Sequence, residues 1–155
     1  MRTRPVVNDL EYVLIESKDQ CRECFAVMQE LRPHLTDRES FVEQVFRQGE
    51  QGFRLLALRE RGQVIGLAGF RMTENTLYGR FVYVDDLVVT VSQQRRELGA
   101  ALLEEVRRRT RALGYRYLVL DTGMHMPLAQ RFYFRQGLLA KGMHFSQDLG
   151  VGAAV

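Results

Sequence analysis

The spacing of apolar residues changes along the chain, and each change marks a new element. Glu11 to Ile15 reads as a short strand. From Asp19 to Leu31 the apolar positions Cys21, Cys24, Phe25, Met28 and Leu31 follow a 3.6-residue period, which predicts a helix stopped by Pro33. Thr36-Asp37-Arg38-Glu39 has capping-box spacing with Thr36 and Glu39 as the reciprocal pair, and a second helix to about Gln48 turns Phe41, Val42, Val45 and Phe46 inward. Gly49 and Gly52 bracket its end.

The pattern then becomes strand-like. Phe53 to Arg59 and Gln63 to Arg71 flank Glu60-Arg61-Gly62, which predicts a hairpin. Thr73 to Gly79 reads as a loop, and Arg80 to Val91, rich in β-branched and aromatic residues, as a third long strand. Gln94 to Leu113 predicts a long helix with Leu98, Leu102, Val106, Thr110 and Leu113 on one face and arginines opposite, ended by Gly114. Arg116 to Leu120 is a near-continuous apolar strand of the kind buried on both faces. Pro127 suits the first turn of a last helix to about Gln136, with Gly137 after it, and Met143 to Asp148 reads as a final strand. The order is β-α-α-β-β-β-α-β-α-β. The strands around the helix from Gln94 form a right-handed parallel crossover, and the hairpin strands are antiparallel. The expectation is an α+β fold: one domain over residues 1–155 with a mixed, mostly antiparallel central sheet and helices on both faces.

Composition adds exclusions. Of 155 residues, 46% are apolar and 26% charged, an ordinary globular balance. No apolar run approaches the roughly 20 residues of a membrane span, and Met1 to Glu11 lacks the apolar block of a signal peptide, so the cytoplasm is the simplest compartment. The net charge of +3 is too mild to imply a nucleic-acid partner. Residues 93 to 116 concentrate seven arginines against three glutamates, but Glu104 and Glu105 offset the run and no aromatics interleave it, which reads as a solvated helix face. Cys21 and Cys24 form a CxxC pair in register with the apolar helix face. With no second cluster to complete a zinc site, and with the pair mid-helix rather than at the helix N-terminus where a redox pair usually sits, they read as buried structural thiols.

The densest chemical signal is the turn at Gln94 to Gly99. A strand runs into a turn that opens a helix, where unpaired N–H groups favour phosphate. Gly99 and Ala100 keep the first turn small, while Arg95 and Arg96 add charge. A basic helix start runs against the helix dipole, and an anion bound there explains it. Asp85 and Asp86 stand mid-strand just before, an unusual place for a carboxylate pair. They can serve as base or as ammonium anchor, and alternation cannot say which one faces a cleft if a bulge intervenes.

These residues resemble the GNAT N-acetyltransferase superfamily. Gln94-Arg95-Arg96-Glu97-Leu98-Gly99 looks like the family's cofactor signature Q/R-x-x-G-x-G/A, with Glu97 where the first glycine is expected. Tyr83 to Val89 resembles the splayed strand that precedes it. Ala129 to Leu138 resembles the late A-x-x-F-Y-x-x-x-G-F block, with Leu138 for the usual Phe, and Met126 stands where the family often has Asn. The resemblance implies acetyl-CoA as co-substrate without a metal, and direct attack of a primary amine on the thioester. It implies that the backbone of Leu87, Val88 and Val89 holds the pantetheine arm and that Gln94, Arg95, Arg96, Glu97, Leu98, Gly99 and Ala100 hold the pyrophosphate. Tyr133 matches the family's general acid, and Asp85 or Asp86 would manage the amine. Asp121, Thr122 and His125, after the crossover strand, are secondary substrate-binding candidates. The acceptor would be a small-molecule or protein amine, with neither nucleic acid nor membrane as partner. Assembly as a homodimer stays open, as does a second reading in which the fold binds acyl-CoA as a regulatory module without transferring the acyl group.

Overall fold

The computed structural model describes residues 9–150 and 152, so the reading of Met1 to Glu11 lies outside it as far as residue 8. The chain divides after Leu120 into two units, described separately below. The first contains β1 (Leu10–Leu14), α1 (Lys18–Arg22), α2 (Phe25–Leu31), α3 (Arg38–Gly49), β2 (Phe53–Glu60), β3 (Gln63–Asn75), β4 (Gly79–Val89), α4 (Leu98–Ala112) and β5 (Tyr117–Leu120). Its five strands lie in the order β1-β2-β3-β4-β5. The first three pairings are antiparallel, and β4 with β5, joined through α4, is parallel. This is the mixed, mostly antiparallel α+β sheet that the sequence pattern predicts. Among the described residues no helix is long and apolar enough to cross a membrane.

The local chemistry explains most of these boundaries. At the β2–β3 hairpin both loop residues take positive φ, Arg61 at 52° and Gly62 at 78°, which matches the twist of the flanking strands. The helix expected from Asp19 to Leu31 is two helices. Cys24 N–H donates to the Cys21 carbonyl at 3.0 Å, a tighter turn than an α-helix, and this breaks the run at Glu23-Cys24 while keeping both thiols on the core side. Both are fully buried, and burial pushes their pKa values up to about 11 and about 12, so they stay protonated. The cap of α3 is Asp37 rather than Thr36: its carboxylate accepts from Ser40 N–H at 2.8 Å, whereas Glu39 turns to Arg22. The capping box belongs to Ser17 and Gln20 at the start of α1. The loop before β4 is shorter than expected because β3 runs on to Asn75, whose side chain accepts from Leu77 and Tyr78 N–H and closes the turn.

The sheet separates two apolar layers. On one face Phe53, Leu55, Ala57 and Leu67 pack with Cys21, Cys24, Met28, Phe41 and Val42 of the first three helices. On the other, Leu56, Leu58, Ala68, Phe70, Val82 and Val84 pack with Leu98, Leu102 and Val106 of α4. Burying one such leucine contributes roughly 1.5–3 kcal/mol, so α4 is held chiefly by this stripe. Its outer face is laced with ion pairs, though four arginines outnumber two glutamates: Glu104 pairs with Arg107 and Arg111, and Glu105 with Arg108 and Arg109. That is the solvated face expected from the sequence. Strand β5 is half-buried throughout rather than buried on both faces.

One irregularity shapes the site. Gly69 pairs with Asp86, but the next residue, Phe70, pairs with Val84, so Asp85 is an extra residue in β4. A Cβ on Gly69 would meet the Asp86 carboxylate and, at 2.7 Å, the edge of the Phe53 ring.

The second unit contains α5 (Pro127–Arg135), with Pro127 in its first turn and Gly137 following at φ 86°. The final strand expected over Met143 to Asp148 is absent. A period-two apolar pattern becomes a strand only with a ladder to join, and these residues are exposed and irregular.

Gly69→Ala is expected to cost about 1–3 kcal/mol, because neither the Phe53 ring nor the Asp86 carboxylate can give way freely; urea unfolding of the two proteins measures it.

Candidate active site

The pairing of β4 with β5 ends at Val84 with Leu120. Beyond it, residues 85–89 of β4 pair with β3 alone among the described strands. Thr90 N–H donates to the Ile65 carbonyl at 2.8 Å, so by alternation the main-chain groups of Asp86 and Val88 face β3 and those of Leu87 and Val89 face the open edge. The Val89 carbonyl accepts from Gln94 Nε2 at 3.1 Å, on that side. An edge of this kind accepts an extended ligand as an added strand.

The strand then enters a tight turn. A single 3-10 turn covers Val91–Gln93, and Gln94 is extended. Arg95 (φ 68°) and Glu97 (φ 59°) are both left-handed, and α4 begins only at Leu98, four residues later than its apolar period suggests. Left-handed residues cannot continue an α-helix, so the two of them fix the late start. Glu97 occupies the place of the signature glycine in the conformation glycine favours, at a cost of roughly 1–2 kcal/mol. Its side chain is exposed and makes no cap bond. The first helical hydrogen bond runs from Ala101 N–H to the Glu97 carbonyl, which leaves the N–H groups of Leu98, Gly99 and Ala100 without a helical acceptor. Small residues at 99 and 100 leave this end of α4 open to an anion.

Two side chains, Glu30 and Arg96, brace the turn. Glu30 of α2 accepts from Thr90 Oγ1 at 2.6 Å and from Val91 N–H at 2.9 Å. Arg96 donates to both Glu60 oxygens, at 3.0 and 2.7 Å, and to Gln93 Oε1 at 2.6 Å. It is therefore a strut to the β2–β3 hairpin, whereas Arg95 is exposed.

On the α2–α3 side of the sheet lies a cleft of about 380 Å³, lined by the polar Arg32, His34, Gln44, Gln48, Tyr83, Asp85 and Asp86 and by the apolar Met28, Leu35, Phe41, Val45 and Phe53. The bulge makes it. Regular alternation sends neighbouring residues to opposite faces, and the extra residue puts Asp85 and Asp86 on the same one. Each carboxylate has its own guanidinium. Arg71 Nε donates to both Asp85 oxygens at 3.0 Å. Arg32 donates from Nε (3.2 Å) and Nη2 (3.1 Å) to Asp86 Oδ1, and from Nη2 to the Asp85 carbonyl at 2.8 Å. Burial pushes both carboxyls above the ordinary Asp range, against the opposing pull of these arginines.

Among the residues singled out in sequence, the first unit brings together Asp85 and Asp86, and places Leu87 to Val89 on the strand leading to Gln94 through Ala100. The second unit carries Tyr133, Asp121, Thr122 and His125. Tyr133 lies on α5 with its ring edge-on to Phe132 at 5.2 Å, and burial pushes its phenol up, so it is protonated at neutral pH. Asp121 Oδ2 lies 3.2 Å from His144 Nδ1 and accepts from it when that nitrogen carries the proton, and His125 packs over Gly123. Sequence reasoning missed Glu30, Arg32 and Arg71. Arg71 faces Tyr83 across the β3–β4 ladder, so a correct register would have found it; nothing in the spacing marks the other two.

Two measurements test this geometry. Glu97→Gly removes the left-handed cost and is expected to raise stability by about 1 kcal/mol in urea unfolding. The raised carboxyls set a pH dependence. Their stabilising contribution is complete below the ordinary Asp range and is lost as pH rises through their raised folded values. The stability of the native chain relative to Asp86→Asn should therefore fall with rising pH across that window and level off above it. Glu60, held below the usual range by Arg96, contributes with the opposite sign.

Residues 18–138 match the model of the acetyltransferase (GNAT) family. No curated protein matches the chain in sequence. Among solved structures, the ribosomal-protein-alanine N-acetyltransferase of Brucella melitensis biovar Abortus 2308 superposes with a TM-score of 0.78 at 15% identity, covering 91% of this chain and 99% of its own. An aminoglycoside acetyltransferase from an uncultured soil metagenomic sample, bound to sisomicin, gives 0.76 at 14% identity, with 92% and 97% covered. The aminoglycoside N-acetyltransferase AAC(6')-Iy, in complex with CoA, gives 0.75 at 15% identity, with 95% and 99% covered. At such identities these likenesses speak to the fold, and the family match carries the classification. A chain matched over residues 18–138 by that model belongs to the acetyltransferase (GNAT) family, and it is an acyltransferase.

Proposed function

We propose that the protein transfers an acetyl group from acetyl-CoA to a primary amine by direct attack within a ternary complex. The observation that carries this reading is the open edge of β4 running into a turn whose shape survives without its glycine. The edge at Leu87 and Val89 suits the amide-bearing pantetheine arm, which pairs as a strand does. The backbone from Arg95 to Ala100 suits the pyrophosphate, with Gln94 and Arg95 at its border and Arg96 bracing from behind. Bound there, acetyl-CoA supplies an acetyl thioester.

The chain's own residues then manage position and protons. Holding two reactants in line supplies about 7–11 kcal/mol of the barrier reduction in favourable cases, so no side-chain nucleophile is needed. Asp85 and Asp86 receive the amine. Either carboxylate holds the ammonium, and either accepts its proton through water, which the raised pKa favours. Tyr133, by its position in the late sequence block, protonates the departing thiolate. Asp121, Thr122 and His125 serve acceptor binding. Several fold relatives acetylate aminoglycosides and one a ribosomal protein; for this chain, the cleft admits a small amine or the end of a peptide.

Release of CoA thiol from acetyl-CoA with a panel of primary amines tests the reading. Tyr133→Phe is expected to lower kcat by roughly 10²–10⁴ while leaving the KM for acetyl-CoA nearly unchanged. Tight CoA binding with no turnover on any amine would instead support a regulatory acyl-CoA-binding module.

A further inference from the structure

The cleft is lined by Asp85, Asp86 and Arg32, and the carboxylates are matched by guanidiniums, Asp86 by Arg32 on the lining and Asp85 by Arg71 outside it. This arrangement has no net charge to offer a polycation. An ammonium that takes Asp86 from Arg32 leaves a guanidinium uncompensated in a partly buried place, which is costly unless the ligand also brings an anion. An amine that carries its own carboxylate exchanges partners without that loss: its ammonium takes the carboxylate, and its carboxylate takes the guanidinium. Arg32 is placed for this. It is the more exposed of the two arginines, at 43% against 26%, and it stands on the cleft lining. Its hydrogen bonds to the aspartates use Nε and Nη2, not Nη1. Its planar fork suits a carboxylate. The rest of the lining is chiefly apolar, with Met28, Leu35, Phe41, Val45 and Phe53, and carries Gln44 and Gln48 among its neutral polar groups.

We infer that the acceptor is a zwitterion with an apolar body, of the class of hydrophobic α-amino acids and short peptides, bound by exchange with the Arg32–Asp86 ion pair. The inference rests on the acceptor-site reading above and narrows it. Arg32 here is a specificity residue rather than a catalytic one.

Calorimetric titration of the full chain tests it without requiring turnover. Coenzyme A is titrated first, and its binding alone judges the cofactor site. Phenylalanine, phenylalaninamide and spermidine are then titrated into the free and the CoA-saturated protein. Phenylalanine is expected to bind at least tenfold more tightly than its amide, and spermidine more weakly than either. Arg32→Gln should reduce the preference for phenylalanine over the amide to about onefold, with the amide binding at least as tightly as before because its ammonium then meets Asp86 with no guanidinium left uncompensated, and Arg32→Lys should restore part of the preference. Retained amide binding shows that the variant cleft is intact. Phenylalanine binding no more tightly than its amide, including no binding at all, overturns the inference, as does preferential binding of spermidine. Failure of coenzyme A to bind counts against the transferase reading instead.

Discussion

A single extra residue in β4 organises the cleft on the α2–α3 side of the sheet. Without it, Asp85 and Asp86 would point to opposite faces, and one would enter the apolar layer under α4, where an unpaired carboxylate is very costly. With it, both carboxylates reach the α2–α3 cleft and each finds an arginine. The bulge also resets the alternation, so that Val88 joins the helix-side core while Leu87 and Val89 join the α4 side. Opposite the bulge, Gly69 supplies the space that the Asp86 side chain needs.

The same strand leads into the turn at Gln94, and its two halves are distinguished by hydrogen bonding. Up to Val84 it is an interior strand with neighbours on both sides. After Val84 it keeps only β3, and one edge is left open. The apolar stripe of α4 sets where its helix can dock, and two left-handed residues delay the helix start so that its first N–H groups stand clear. Packing and turn strain thus work together: the first fixes the helix, the second frees its end.

Much of this was legible in the residues. The strand and helix periods gave the five strands, α3, α4 and the parallel crossover, because those elements bury one face and the pattern records it. The turn at Gln94 was legible because a basic helix start contradicts the dipole. Legibility failed where an interaction was non-local or local geometry overrode the period. The CxxC run reads as one helix because its spacing satisfies both a continuous helix and a broken one. Thr36 and Asp37 both qualify as caps, and only the backbone decides between them. Met143 to Asp148 carries strand alternation, but alternation describes a side-chain pattern and does not supply a pairing partner. The arginine partners of Asp85 and Asp86 lie 14 and 54 residues away from them in sequence, beyond any local signal.

The end of α2 holds two anchors, two residues apart. Glu30 binds Thr90 and Val91 where the turn after β4 begins, and Arg32 binds Asp86 and the Asp85 carbonyl. The start of that turn and the carboxylate pair are therefore tied to one another through the short C-terminal end of a single helix, and a displacement of that end carries both with it.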